Sequence, residues 1–167
     1  MTAVAAKRRF VEPPPAPAAP VFDTTPVFHT VQRIAGGLID QYATWLTPLL
    51  QEDFGNPAPG TVMRWMRSWA MDNQFNFVGT PNAAGLAVAN YAPLTAFPIV
   101  EEVFLYVQGG EENEGEGLEI YRHFHRWAKM SNAHRLVFNY SRGAPNGKIM
   151  REFPGLTKRQ IWSLDIE

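Results

Sequence analysis

The segment from residue 109 to residue 119 has the composition most suited to chemistry. It holds four glycines, which are Gly109, Gly110, Gly115 and Gly117. A glycine turn that leads into a helix leaves backbone N–H groups free, and such groups bind phosphate or pyrophosphate. The same segment holds no Lys or Arg but five carboxylates, which are Glu111, Glu112, Glu114, Glu116 and Glu119. The backbone therefore favours a phosphate site, whereas the charges oppose one.

Coulomb's law gives the free-energy cost of holding a phosphate near these carboxylates. A carboxylate about 6 Å from a phosphate charge costs roughly 1–3 kcal/mol at an effective dielectric constant of about 20–40. Two or three such residues would offset much of the binding free energy that the turn amides contribute. A second interpretation is that the glutamates stabilise the start of the following helix, by about 0.3–1 kcal/mol each. A cationic ligand or a basic segment of a partner would suit such an acidic rim.

Two predicted strands and a helix position this segment. Residues 101–107 form a β-prone run before the glycines, and residues 135–140 form another. Between them, residues 117–131 have helical periodicity with one apolar face. The predicted face consists of Leu118, Tyr121, Phe124, Trp127, Ala128 and Ser131.

The rest of the chain supplies the other elements of an α/β (α+β) fold. Residues 27–34 predict a first strand, and residues 38–50 predict a helix that is buried on one face. Thr61 is expected to cap a second helix. The remaining predicted elements are strands at 75–78 and 85–91 joined through residues 80–82, a short helix at 148–153 and a last strand at 160–166.

Residues 1–25 are predicted to be an extended arm, and residues 26–167 a domain. Five prolines favour a polyproline II conformation in the arm, and they are Pro13, Pro14, Pro15, Pro17 and Pro20. Arg8 and Arg9 precede them. Composition alone favours a flexible tail, whereas docking against its own domain or another subunit is the alternative. We expect Arg8, Arg9 and the prolines to form a partner-binding arm.

Composition argues against several classes of function. The 167 residues contain no cysteine, which removes disulfides, thiolate metal sites and thiol catalysis. The net charge of −1 gives no signal for nucleic-acid binding. No apolar run reaches the roughly 18 residues of a membrane span, and no secretory signal is recognised. His123 and His125 lie two positions apart on a predicted helix and do not share a face, so no metal site is expected.

The order of elements and the glycine turn resemble the GNAT family of N-acetyltransferases over residues 27–166. In that family the turn carries Gln/Arg-x-x-Gly-x-Gly/Ala, and its amides bind the pyrophosphate of acetyl-CoA. The matching run here is Glu112-Asn113-Glu114-Gly115-Glu116-Gly117, with Glu112 in place of the leading Gln or Arg. The resemblance implies a mixed, mostly antiparallel sheet flanked by helices.

The resemblance also implies roles for individual residues if the chain is an enzyme. Glu101 or Glu102, near the start of the fourth strand, would be the general base. Residues 147–153 lack the tyrosine that the family carries after the fifth strand, so Tyr140 or Tyr121 would substitute for it. Packing is the alternative role of both tyrosines. Acetyl-CoA would be held by Phe104, Tyr106, Val107, Gly115 and Gly117.

Three functions fit these residues. The first is a non-catalytic GNAT-like assembly protein without a cofactor, similar to structural proteins of bacteriophages. It would dock protein subunits through its arm, in the virion or in the bacterial host cytoplasm. The second is an acetyl-CoA-dependent N-acetyltransferase with a glutamate base. The third is a small-molecule or peptide binder that uses the cleft between the fourth and fifth strands. We favour the first because the turn is acidic and the expected tyrosine is missing.

Overall fold

The computed structural model describes residues 31–58, 60–91, 98–109, 113–139, 151–153 and 155. Three predicted features lie wholly or mostly outside these residues: the arm at 1–25, the short helix at 148–153 and the last strand at 160–166. Tyr140 also lies outside them. Among the described residues, no helix is both long and apolar enough to cross a membrane.

The described strands form one five-stranded sheet in the order β1-β2-β3-β4-β5. The strands are β1 (Gln32–Arg33), β2 (Phe75–Gly79), β3 (Ala83–Tyr91), β4 (Pro98–Val107) and β5 (Arg135–Val137). The first four strands pair antiparallel, and β5 pairs with β4 in parallel. This confirms the predicted mixed, mostly antiparallel sheet.

Helices cover both faces of the sheet. A 3-10 turn (Gly36–Leu38) leads into α1 (Ile39–Asp53), which is followed by α2 (Thr61–Met71) and later by α3 (Glu114–Met130). Successive strand residues point to opposite faces, so Phe77 packs with α1 and α2 while Val78 packs with α3. Two separate apolar layers result, one on each side of the sheet.

Glycine allows α3 to approach the sheet closely. A Cβ at Gly85 of β3 would lie 2.9 Å from Cγ2 of Ile120 and 3.0 Å from Cζ of Phe124. Both of these α3 side chains are fully buried. The inner face of α3 therefore includes Ile120, which the predicted face omitted, whereas Leu118 and Trp127 are only half-buried.

Several predicted boundaries are corrected. The structure starts α3 at Glu114 rather than at Gly117, and only Gln32 and Arg33 are in a strand within the described part of the predicted first strand. Thr61 does not cap α2, because Gly60 occupies the N-cap position with φ 77°. The Thr61 hydroxyl instead accepts a hydrogen bond from Nη2 of Arg64 at 3.0 Å. Gly60 is favoured there because positive φ is nearly free of cost only for glycine.

Candidate functional site

The two parallel strands, β4 and β5, pair along only part of their length. β5 pairs with β4 at Ile99, Val100 and Glu101, and in the described residues the pairing ends there. β4 continues to Val107, and no described strand pairs with its outer edge from Glu102 onward. We call the place where β4 and β5 part the β4–β5 fork. Backbone groups along an unpaired strand edge are available to hydrogen-bond a ligand or another chain.

Asn139 closes the narrow end of the fork. Its Nδ2 donates to the backbone oxygen of Glu102 at 2.5 Å and to Oε1 of Glu101 at 3.2 Å. Asn139 lies two residues beyond the end of β5. Its side chain therefore bridges the strands where their backbone pairing stops.

The two candidate bases lie on opposite faces of the sheet, in the middle of β4 rather than at its start. Glu102 pairs with Ala87 on the α3 side, while Glu101 pairs with Val88 on the other side. A bulge follows, because Phe104 pairs with Leu86 and Val103 has no counterpart on β3. The bulge returns Phe104 to the α1–α2 layer.

Glu102 is a buried acid. Its residue is 2% exposed, and its Oε2 has no hydrogen-bond partner among the described residues. Burial raises the pKa of Glu102 to about 8, although hydrogen bonds from the Tyr121 side chain and the Asn139 backbone oppose part of that rise. The carboxyl is therefore mostly protonated at neutral pH, and only its minor ionised fraction could accept a proton there.

The glycine turn joins β4 to α3 without a side-chain cap. Asn113 is the N-cap residue, and its Nδ2 donates backward to the Gln108 carbonyl at 2.8 Å. A Cβ at Gly117 would lie 2.9 Å from Cγ2 of Val107, so glycine permits the helix to pack on β4. A Cβ at Gly115 would meet no atom of the described residues within 4 Å. Gly115 itself is exposed at the first turn of α3.

Of the five glutamates in this segment, Glu116 and Glu119 have described side chains, whereas Glu111 and Glu112 lie outside the described residues. Glu116 is 1% exposed and accepts hydrogen bonds from the Thr80 hydroxyl, from Asn82 N at 2.9 Å and from Asn82 Nδ2 at 2.7 Å. Glu119 pairs with Arg122, whose Nε also lies 2.7 Å from Oε1 of Glu152. The Glu116 carboxylate is therefore directed into the fold rather than toward a ligand at the turn.

The predicted cofactor residues contribute backbone rather than side chains to the fork. Phe104 is 5% exposed and stacks on Tyr106 with ring centroids 5.1 Å apart, inside the α1–α2 layer. The Tyr106 hydroxyl donates to Asp53 and lies 3.4 Å from the Leu49 carbonyl oxygen. Val107, the last residue of β4, is 36% exposed.

Tyr121 packs in the interior, which is the alternative role predicted for it, whereas its role as a substitute for the family's tyrosine stays a prediction. It is 5% exposed and packs edge-on against Phe138, with ring centroids 4.6 Å apart. Its side chain also hydrogen-bonds to Glu102. Sequence reasoning missed Asn82 and Asn139, because nothing in a single asparagine indicates which distant backbone group it contacts.

The two histidines of α3, His123 and His125, have different surroundings. Burial is the main cause that lowers the pKa of His123, with the nearby Arg126 charge as a second cause. Burial also lowers the pKa of His125, whose ring lies 5.4 Å from that of Phe153. Within the part of the chain that the structure describes, no three His, Asp or Glu side chains come together as a metal site.

Comparison with known proteins supports the fold. No protein-family model and no curated protein matches the chain. A possible acetyltransferase from Clostridium difficile 630 superimposes with a TM-score of 0.61 at 10% identity, covering 83% of this chain and 96% of its own. A GNAT family acetyltransferase from Staphylococcus aureus gives a TM-score of 0.58 at 8% identity, covering 83% of this chain and 98% of its own.

A third solved structure also superimposes on most of this chain. The ribosomal-protein-alanine N-acetyltransferase from Brucella melitensis biovar Abortus 2308 has a TM-score of 0.55 and 14% identity, and covers 83% of this chain and 98% of its own. At such low identity these similarities establish the fold alone. The chain has the fold of the GNAT acetyltransferases.

Proposed function

We propose that this chain is a non-catalytic GNAT-fold protein that serves as a component of a larger assembly, a bacteriophage virion, and docks partner subunits through its N-terminal arm. The observation that carries the proposal is the engagement of both candidate bases in holding the fork together. Asn139 binds the Glu101 carboxylate and the Glu102 backbone at the point where the strands separate.

The state of Glu102 supports the same conclusion. A general base must be ionised and within reach of the amine whose proton it removes. Glu102 is 2% exposed, lies beneath α3, and has a pKa of about 8 because it is buried. Glu101 is half-buried and already accepts a hydrogen bond. Both carboxyl groups thus have a structural role without any substrate.

The arm supplies the means of assembly in this proposal. Prolines hold φ near −65°, so a proline-rich segment loses less conformational entropy on docking than an ordinary chain. Pro13, Pro14, Pro15, Pro17 and Pro20 lie in that segment, after the cationic Arg8 and Arg9. The resemblance to GNAT-like bacteriophage structural proteins supports the virion as the assembly.

Three forms of the protein test the proposal. They are the full chain, a chain without residues 1–25, and a chain in which a Gly/Ser sequence of equal length replaces residues 1–25. Particle mass is measured by light scattering, and incorporation into virions by co-sedimentation from producing cells. We expect only the full chain to assemble, while all three show the same thermal unfolding of the domain. Equal assembly by all three would overturn the proposal.

A second function, acetyl-CoA-dependent N-acetyl transfer, is favoured by the backbone of the site. Among the described residues, no strand pairs with the β4 edge beyond Glu101, a bulge lies at Val103, and no atom lies within 4 Å of a Cβ at Gly115. Because Glu116 is turned into the fold, it leaves less negative charge at the turn than the sequence implies. Glu101 would then act as the base, through a water molecule, on the face opposite α3.

Calorimetric titration of CoA and acetyl-CoA at low salt tests this second function. Micromolar affinity, followed by a loss of acetyl-transfer rate in Glu101→Gln, would support it. Asp40→Asn, which changes an exposed carboxylate on α1, is the matched control and should transfer at the wild-type rate. No heat of binding near millimolar ligand would exclude the function.

A further inference from the structure

The charge of the chain is unevenly distributed along its sequence. Residues 120–151 contain seven of the 15 Lys and Arg residues and three of the four His residues. They contain no Asp or Glu, so all 16 acidic residues lie elsewhere. The net charge of −1 averages over this asymmetry. Where the cations of such a run are exposed, the surface is locally positive and attracts polyanions.

The outer face of α3 carries the first of these cations. Arg122, Arg126 and Lys129 are spaced four and three residues apart, so they share the side of the helix that faces away from the sheet. Arg122 is neutralised, because it pairs with Glu119 and donates to both carboxylate oxygens of Glu152, at 2.7 and 2.9 Å. Arg126 and Lys129 are exposed, and among the described residues neither has a carboxylate partner. The uncompensated positive charge therefore lies on the C-terminal half of α3.

The histidines of α3 respond to this excess of positive charge. Burial is the main cause that lowers the pKa of His123 and of His125, and the charges of Arg126 and Lys129, respectively, lower them further. The helix dipole favours a cation in the last turn, which accounts for Lys129. It does not account for the absence of any carboxylate through residues 120–151. A negatively charged partner would relieve the repulsion among these cations.

The surroundings of the two exposed cations are mostly polar. After α3 the chain turns at Asn132, which has φ 53° and donates from its backbone N to the Lys129 carbonyl at 3.1 Å. Asn132 and His134 are both exposed. Among the described residues, Met130 is the one large apolar side chain of α3 that is exposed, at 82%.

This composition favours nucleic acid over a protein or a membrane as the partner. Protein interfaces have an apolar core, and a helix that binds a membrane surface needs a free apolar stripe. The apolar stripe of α3 is packed on the sheet instead. Nucleic acid needs neither feature, because contacts from Arg, Lys and Asn to phosphate supply non-specific affinity.

We propose that Arg126 and Lys129 form a contact surface for the sugar–phosphate backbone of a double-stranded nucleic acid, without base specificity. The two side chains donate to phosphate oxygens and release the counterions that are condensed on the duplex, so the binding weakens as salt is added. DNA and RNA duplexes share this phosphodiester chemistry. The binding is independent of the N-terminal arm and of CoA.

The test measures fluorescence anisotropy of a short labelled DNA duplex, and of the RNA duplex of the same sequence, with the full chain. The test variant is Arg126→Gln/Lys129→Gln. The matched control, Arg64→Gln/Arg67→Gln, removes the same charge from two exposed arginines of α2, on the other face of the sheet. Both variants should fold like the wild type by circular dichroism, because all four side chains are exposed.

The salt dependence gives the expected size of the effect. At about 50 mM salt the test variant should bind the DNA duplex at least about tenfold more weakly than the wild type. The slope of log K against log salt should become shallower by about 1.8, because each phosphate contact contributes about 0.9. The control should stay within about threefold of the wild type, because salt screens charges that are far from the contact.

Competition identifies the class of polyanion. Polyglutamate and vesicles that contain phosphatidylserine are added to the labelled complex at the same concentration of negative charge as unlabelled duplex. We expect only the duplex to displace the label fully, and the tighter of the DNA and RNA duplexes identifies the source of the backbone. Equally effective displacement by polyglutamate or by the vesicles would overturn the proposal. So would the absence of duplex binding at low salt, unchanged binding by the test variant, or equal weakening in both double variants.

Discussion

Glu102 of β4 and Tyr121 of α3 hydrogen-bond to each other across the interface between the sheet and the helix. Glu102 is 2% exposed and Tyr121 is 5% exposed. The interface also contains Phe138, which packs edge-on against Tyr121, while Asn139 binds the Glu102 backbone. The fork therefore begins at a buried polar pair beside apolar side chains. The free energy of unfolding should depend on whether Glu102 is protonated.

Glu102→Gln should flatten the pH dependence of folding stability. Burial raises the pKa of Glu102 to about 8 from its usual value of 4.5, so the folded chain holds a proton that the unfolded chain releases between these values. The protonated carboxyl contributes its whole stabilisation below the pKa of the unfolded chain. That contribution is lost as the pH rises through the pKa of the folded chain, and the free energy of unfolding falls by at most about 1.4 kcal/mol per pH unit. Glutamine has no proton to lose.

Urea unfolding from pH 5 to pH 9 measures this effect. The wild type should lose stability across that range, and Glu102→Gln should lose less and be the more stable protein at pH 9. Asp40→Asn, at an exposed position on α1, should follow the wild-type curve. Parallel curves for wild type and Glu102→Gln would show that Glu102 is ionised in the folded state.

Two glycines in the first turn of α3 should respond differently to the same substitution. Alanine at Gly115 meets open space, so Gly115→Ala should stabilise by up to about 1 kcal/mol through helix propensity. Alanine at Gly117 would place its Cβ 2.9 Å from Cγ2 of Val107. The resulting crowding should cost about 1–3 kcal/mol and cancel or exceed the propensity gain.

Thermal unfolding of the two variants compares them directly. Gly115→Ala should have the higher melting temperature, and it also serves as the control for the intrinsic effect of alanine in this turn. Equal melting temperatures would mean that Val107 moves aside freely and that Gly117 is not required for the packing of α3 on β4.

The start of α2 offers a test of the corrected cap. Gly60 has φ 77°, and a side chain in that conformation costs about 1–2 kcal/mol, so Gly60→Ala should destabilise by that amount. Thr61 makes no capping bond to the helix backbone, so Thr61→Ala should cost less than the roughly 1 kcal/mol of a lost N-cap. Chemical denaturation gives both values, and a larger loss for Thr61→Ala than for Gly60→Ala would contradict the assignment.

Local patterns in the sequence predicted most of the described elements but not the contacts of the site. Alternation and helical periodicity depend on neighbouring residues, and they predicted β2, β3, β4 and α3 close to their observed bounds. The face on which Glu102 lies depends on pairing with β3, and the bulge at Val103 depends on the register of both strands. The bond between Glu116 and Asn82 spans 34 positions. Such contacts arise from tertiary packing, which a turn composition does not encode.

Asn139→Ala and Asn139→Asp together test whether Asn139 holds the fork closed. Alanine removes the donor to Glu101 and to the Glu102 carbonyl, and should cost about 1–2 kcal/mol. Aspartate keeps the shape but replaces the donor by a carboxylate that faces two acceptors. Above neutral pH it should therefore cost more than alanine, because like charges and an unsatisfied carbonyl are added to the lost bonds. Urea unfolding at pH 6 and pH 8 measures both variants. If aspartate were no worse than alanine at pH 8, the amide would not be donating to these oxygens, and the fork would be held closed by other contacts.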